Sequence, residues 1–230
     1  MGKRGECVMR IFILLLLLAV SISAFALQSS DSDSKICAPF RGGVVDPAIV
    51  NSMLQAAAEN RLYRIQQKSS NVGFCVDSII GRVEAEFKGI QGGLALRREV
   101  WGDESQMLVM VDANSLAMED CFVKSMLKGE HFLDIETYPK MLFVSSQLKW
   151  LDHENAVLDG MLTMHGVTKL VRFEVKMATI SNKDPLNVAD VIVTAKSFIN
   201  RADFGMDHLN FLVSDEIELC MRIEASLFKK

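Results

Sequence analysis

The sequence predicts an all-β fold: an antiparallel β-barrel of about eight strands with one added N-terminal helix. Three observations carry this. Apolar and polar residues alternate in short segments joined by hairpin-length connections, with no strand-helix-strand rhythm. At the centre of the pattern, Leu158 to Met177 places two alternating arms around a turn at His165-Gly166. The outer face of the second arm carries Arg172, Glu174 and Lys176, so helices do not cover both faces, which favours an antiparallel sheet. A closed up-and-down barrel is preferred over an open sheet because closure removes exposed edges.

The 230 residues suffice for one sizeable domain, and a 50% hydrophobic content supports a real core. Residues 1–26 read as a secretory signal. Lys3, Arg4 and Arg10 precede an apolar run from Ile11 to Val20, and Ala24-Phe25-Ala26 offers a small-residue cleavage site. The alternative is an uncleaved anchor, at the lower edge of what spans a bilayer. Cleavage near Ala26 gives a periplasmic or secreted chain of net charge −6, against −4 for the whole. An acidic domain without basic clusters argues against nucleic acid or an anionic membrane surface as a partner. Of five cysteines, Cys7 falls in the leader; Cys37, Cys75, Cys121 and Cys220 remain, and sequence does not choose their pairing. Cys37 with Cys75 is the guess if one bridge exists, and four unpaired thiols are the alternative. No CxxC is present to suggest redox chemistry or zinc.

Residues 27–46 form a polar N-terminal arm. Asp46-Pro47 then caps a helix over 47–60, whose Ile49, Met53, Ala56 and Ala57 make one apolar stripe. That helix closes a barrel end or packs on the outside. The barrel domain occupies 61–230. Its expected strands are Leu62–Gln66, Val72–Val76, Arg82–Lys88, Leu94–Val100, Met107–Ala113, Met141–Leu148, the two hairpin arms, Val188–Phe198 and Glu216–Ser226. Gly92-Gly93 reads as a turn or bulge, Cys121–Gly129 as a short helix or turn, and Ser181–Leu186 as a polar loop.

Several of these blocks resemble one family. LTMHGVTKLVRFEVK, GEHFLDIETYPKMLFVSS (129–146), FINRADFGM (198–206) and VSDEIELCMRIEA (213–225) stand in the order found in the YceI family. With LYRI and SNVGFCVDS, the resemblance covers about Arg61 to Leu227. It implies a lipocalin-like barrel that binds a polyisoprenoid lipid. The chain departs from the family where His131 stands for an aspartate and Leu133 for a phenylalanine. It also lacks the arginine-aspartate and histidine residues common just upstream, which puts the shared head-group contacts in question at that end.

No nucleophile elbow, phosphate-binding glycine loop or HExxH is present, and the four histidines show no metal-ligand spacing, so no catalytic or metal residue is assigned. Arg201 and Asp203 read as a salt bridge within their corner. Candidate ligand-lining residues are Phe74, Val76, Phe87, Phe132, Phe143, Leu162, Met164, Phe173, Phe198 and Phe204. Candidate head-group contacts are His165, Lys169 and Arg201. Composition alone reads as a barrel plugged by its own side chains; the resemblance turns the expectation toward an enclosed lipid. The expected function is exported lipid binding without covalent chemistry or cofactor, the lipid being a polyprenyl phosphate or an isoprenoid quinone. Transient contact with a membrane or a membrane protein, and the oligomeric state, stay open. The rivals are a ligand-free structural or stress-response module acting through protein contacts, and an enzyme acting on lipid head groups.

Overall fold

The computed structural model describes residues 46–96, 105–180 and 190–229. The expected signal segment, most of the polar arm, Cys7 and Cys37, residues 97–100 of one expected strand, and the 181–186 loop lie outside the described residues. Helix α1 (Pro47–Ala58) is followed by strands β1 (Leu62–Ile65), β2 (Asn71–Ser78), β3 (Gly81–Phe87), β4 (Ile90–Ala95), β5 (Gln106–Asp112) and β6 (Leu116–Ala117). Helix α2 (Cys121–Lys128) comes next, then β7 (Lys140–Trp150), β8 (Asn155–Met164), β9 (Val167–Ile180), β10 (Asp190–Asn200) and β11 (Val213–Leu227).

These eleven segments make eight continuous barrel staves. β1 and β2 run along the same edge of β11, separated by a short 3₁₀ turn at Gln67–Ser69. β3 continues into β4 through Lys88-Gly89, and β5 continues into β6 through a 3₁₀ turn at Ala113–Ser115. Every neighbouring pair is antiparallel and consecutive in sequence, and β1 with β2 closes the ring against β11. The result is an up-and-down barrel, as the alternation predicts.

Gly92-Gly93 is not a turn. Both glycines lie inside β4, where Gly92 takes φ +148° and a Cβ would stand 2.0 Å from the Leu108 carbonyl oxygen. Gly92 thus lets β4 approach β5 closely, while a Cβ at Gly93 would meet the Tyr63 carbonyl of β1, and the strand begins four residues earlier than the expected Leu94. At the central hairpin the expectation holds. His165 (φ 51°) and Gly166 (φ 71°) are the two residues between Met164 and Val167, and both positive φ values suit the primed turn that matches strand twist.

Helix α1 starts at Asp46, whose carboxylate accepts from the Ala48 N–H at 2.8 Å. It packs on the outside of the barrel, where Met53, Ala56 and Ala57 bury against Leu62, Ala95 and Leu108 as a cluster separate from the interior. The interior is filled by alternate residues of every stave. On β10 these are Val191, Val193, Ala195, Ser197 and Ile199, and on β9 Val171, Phe173, Val175 and Met177. Two serines turned inward are satisfied locally. Ser145 Oγ accepts from the Met107 N–H at 2.7 Å beside a bulge in β7, and Ser197 Oγ donates to the Arg172 carbonyl at 2.7 Å.

Candidate functional site

The two ends of the barrel differ. At the end bearing the β7–β8 turn, Leu94, Met107, Leu148, Leu158, Val175, Met177 and Val193 nearly fill the interior, leaving a gap of about 20 Å³. Toward the opposite end a cavity of about 110 Å³ opens, lined almost wholly by apolar side chains. The interior is therefore neither a through-tunnel nor a solid plug.

Sequence builds this end from α2 and the chain that follows it. Asp120 caps α2 by accepting from the N–H groups of Phe122 and Val123 at 2.8 and 2.9 Å. With the helix so anchored, Val123 and Leu127 are buried and, with Met126, face the cavity. The Leu133 N–H returns to the Leu127 carbonyl at 3.0 Å, which turns Phe132 and Leu133 inward. α2 and residues 129–138 thus cap the barrel. Phe143 and Phe173 meet edge-to-face below, with ring centres 5.1 Å apart. Five methionines (126, 141, 164, 206 and 221) share the wall. Unbranched and polarisable, they can change shape around a guest.

The wall is least closed at β3. Glu86 and Phe87 pair with β6, and among the described residues no strand lies beside that edge from Gly81 to Ala85. A surface groove runs along that edge, and Phe74, Val83 and Val123 line both the groove and the cavity. Phe74, Val83 and Val123 are thus the layer between the apolar interior and the surface groove.

Of the ten expected lining residues, Phe74, Val76, Phe87, Phe132, Phe143, Leu162, Met164 and Phe173 stand on the cavity wall. Phe198 does not. It faces outward and is 55% exposed, with the Lys196 ammonium 5.0 Å from its ring centre. The inward set on β10 is odd-numbered, so position 198 falls on the outer face. Phe204 is buried but is not on the cavity wall; it packs in the 3₁₀ turn Arg201–Phe204.

The head-group candidates divide. Arg201 borders the cavity and is 2% exposed, but its guanidinium is committed to the chain. It donates to the carbonyls of Met206, His208, Ser214 and Val213 at 2.5, 2.7, 3.0 and 3.2 Å. Its ion-pair partner is Asp215 at 3.3 Å, not Asp203 as the sequence suggested. Asp203 is exposed. Asn200 caps the turn by accepting from the Ala202 N–H, and Gly205 closes it in the left-handed conformation at φ 77°.

His165 also serves the fold. With the proton on Nδ1 it donates to the Phe204 carbonyl at 2.9 Å, and its ring meets Tyr138 edge-on with centres 5.2 Å apart. Tyr138 leaves no space for a Cβ at Gly166, where one would stand 2.6 Å from the ring. The HGVTK turn thus holds the 200–206 corner and the capping segment together. Lys169 shares its register position with Leu162 on the inward-facing side but is exposed at the rim.

One pair escaped sequence reasoning. His131 and His208, 77 residues apart, stack with ring centres 4.3 Å apart, and Phe132 meets His208 edge-on. They bridge the cap to the β10–β11 connection; no local spacing could have shown it. Among the described residues no group of three His, Cys, Asp or Glu side chains could hold a metal.

Outside the barrel, Glu218 joins Lys196 at 2.5 Å and also Arg82. Lys196 first and Arg82 second hold its carboxyl below the usual range. Beside them the Cys220 thiol is pushed up, first by burial and then by Glu218. Cys75, Cys121 and Cys220 are unbridged thiols.

A closed up-and-down barrel with a capped, apolar cavity places the chain among lipocalin-like proteins. Residues 63–225 match the sequence model described as the YceI-like domain, and the chain belongs to that family. A UPF0312 protein of Pseudomonas putida (strain GB-1) is 40% identical over 77 residues, which are 33% of this chain and 38% of that relative. The match to a UPF0312 protein of Pseudomonas fluorescens (strain SBW25) is 32% identical over 45% of this chain and 54% of the relative. The chain thus spans between a third and about half of the length of these relatives. Among solved structures, BcnA of Burkholderia cenocepacia superposes with a TM-score of 0.63 at 20% identity, over 70% of this chain and 99% of that one. A polyisoprenoid binding domain from Saccharophagus degradans, described as implicated in plant cell wall breakdown, gives 0.54 at 13% identity, over 72% and 98%. These structural likenesses bear on the fold.

Proposed function

We propose that this chain is an exported carrier that holds a polyisoprenoid, a polyprenyl phosphate or an isoprenoid quinone, in the capped end of its barrel. It performs no covalent chemistry. The observation that carries the reading is the apolar cavity beneath α2, walled by methionines and lying behind the groove along the β3 edge. The polyisoprenoid binding named for the Saccharophagus degradans domain supports the ligand class.

Energetics permit it. Burying roughly a dozen methylenes at ~0.8 kcal/mol each contributes about 10 kcal/mol gross. Association returns several kcal/mol of that to lost freedom. Volume sets the condition. Drug-sized pockets usually measure about 300–1,000 Å³, and this cavity holds about 110 Å³. A long chain therefore enters by displacing methionine side chains or by parting β3 from α2 at that edge. A quinone or phosphate head then lies outside the apolar wall. With Arg201 and His165 committed to backbone carbonyls, exposed Lys169 and the stacked His131 and His208 are groups at this end that could meet it.

The filled opposite end favours a second reading, a ligand-free module acting through protein contacts. Titration with a fluorescent prenyl quinone, competed by unlabelled prenyl lipid and by a saturated fatty acid of equal length, separates the two. Saturable binding displaced by the prenyl lipid supports the carrier. No saturable binding supports the module.

A further inference from the structure

Large apolar side chains are exposed unevenly over the barrel. At the capped end Ile79 is 72% exposed, and Ile80, Phe122 and Phe211 are each 78% exposed. On the turns and loops described at the other end, the one comparable residue is Leu151 at 64%. Ile79 and Ile80 are the two loop residues of the β2–β3 hairpin, between paired Ser78 and Gly81. Gly81 takes the positive φ of this turn (117°), so the backbone makes no special demand at 79 or 80, and β-branched apolar side chains exposed there gain no packing. The fold does not account for two isoleucines. Phe122 precedes Val123, which faces the cavity, so the first turn of α2 presents one apolar side chain inward and the next to solvent. The Ile79 N–H donates to the Leu212 carbonyl at 3.0 Å, tying the hairpin tip to the loop that carries Phe211.

We propose that Ile79, Ile80, Phe122 and Phe211 seat the capped end of the barrel on an electrically neutral lipid bilayer. The proposal rests on the reading that the cavity takes an isoprenoid lipid. Such a guest is held in bilayers rather than in water, and these tips surround the end at which the cavity lies. Exposed apolar groups enter the interfacial region by burying area, without spanning the membrane. Charge selects the lipid. Glu119 and Asp120 precede Phe122, while Asp207, Asp215 and Glu216 flank Phe211, against Lys124 and Lys128 on α2. An acidic surround disfavours anionic lipid and leaves apolar insertion as the driving force.

The test uses the full chain carrying Phe211→Trp or Ile80→Trp, with Leu151→Trp as the control at the other end, and the parent's own fluorescence subtracted. Phosphatidylcholine vesicles with brominated acyl chains are added, and farnesol binding is measured separately without vesicles. The proposal expects the emission of the residue at 211 and at 80 to shift to shorter wavelength and be quenched at least twofold, with position 151 unchanged. In a Phe122→Ser/Phe211→Ser variant also carrying Ile80→Trp, the quenching of position 80 falls below a third of its value while farnesol binding stays within twofold. Absence of quenching at 80 and 211, equal quenching at 151, or quenching that requires anionic lipid overturns the docking surface and leaves the tips to a protein partner. Quenching at 80 and 211 in a chain that binds no farnesol sustains the docking and removes the carrier reading.

Discussion

Replacing Arg201 with methionine separates a structural role from a ligand-binding one. Methionine keeps much of the apolar stem and deletes the guanidinium, which satisfies four backbone carbonyls and pairs with Asp215. Hydrogen bonds from a charged donor contribute about 1.5–3 kcal/mol each. Three of these carbonyls belong to residues that are partly or fully exposed, so water recovers part of the loss; Met206, at 3% exposure, is buried. The net loss is then about 3–5 kcal/mol, the range for breaking one side of a buried charged cluster. Against a total stability of about 5–15 kcal/mol this is large. With a urea dependence of about 2 kcal/mol per molar, the unfolding midpoint falls by about 2 M. Arg201→Lys recovers little, because one ammonium cannot reproduce the planar fork that reaches four acceptors. Urea titration followed by circular dichroism measures the shift. A midpoint within about 0.5 M of the parent, together with lost prenyl binding, would refute the reasoning and return Arg201 to the head-group role.

Other perturbations follow from the same geometry. Phe173→Asp places a carboxylate at a site 1% exposed against Phe143 and should abolish both prenyl uptake and cooperative unfolding; retained uptake would mean that face is misassigned. Val83 lies between the cavity and the groove, so Val83→Trp should obstruct passage between β3 and α2, slowing prenyl association at least tenfold while the urea midpoint holds; an unchanged association rate would place the entrance elsewhere. Asp152, Asp159 and Glu218 have lowered carboxyl pKa values, caused chiefly by the Glu154 N–H, Arg172 and Lys196 respectively. Each holds its charge to lower pH folded than unfolded, so its stabilisation is complete above about pH 4.5 and is lost as pH falls through the folded value. Unfolding midpoints should be level above that point with respect to these groups, and the acid limb should be shallower in an Asp159→Asn/Glu218→Gln variant. Alkylation by iodoacetamide at pH 8, followed by peptide mass mapping, should label exposed Cys121 well before Cys220, whose thiol is raised by burial; equal rates would contradict the packing of β11.

What could be read from the sequence was whatever repeats along one stretch of chain. The alternation in Val171–Met177 fixes which residues enter the barrel, and His165-Gly166 announces its turn because both positions need positive φ. Eight of ten lining residues follow from such patterns together with the family resemblance. β10 misled because Val191, Ile192 and Val193 are apolar on both faces; an aromatic then drew Phe198 to the wrong side. Arg201 looked free because its acceptors are carbonyls, which carry no side-chain signature, and Asp203 was merely the nearest acid in sequence. The stack of His131 on His208 and the merging of β3 with β4 depend on contacts between distant segments. Cavity volume is a small difference between a ring of staves and the side chains that fill it, and no residue pattern reports it.

Native mass spectrometry of the protein purified without harsh detergent, coupled to lipid extraction, tests the central claim most directly. The account predicts a bound fraction heavier by the mass of one prenyl lipid, released on extraction and restored by incubation with that lipid. A chain that carries no prenyl lipid and takes none up when offered would contradict it.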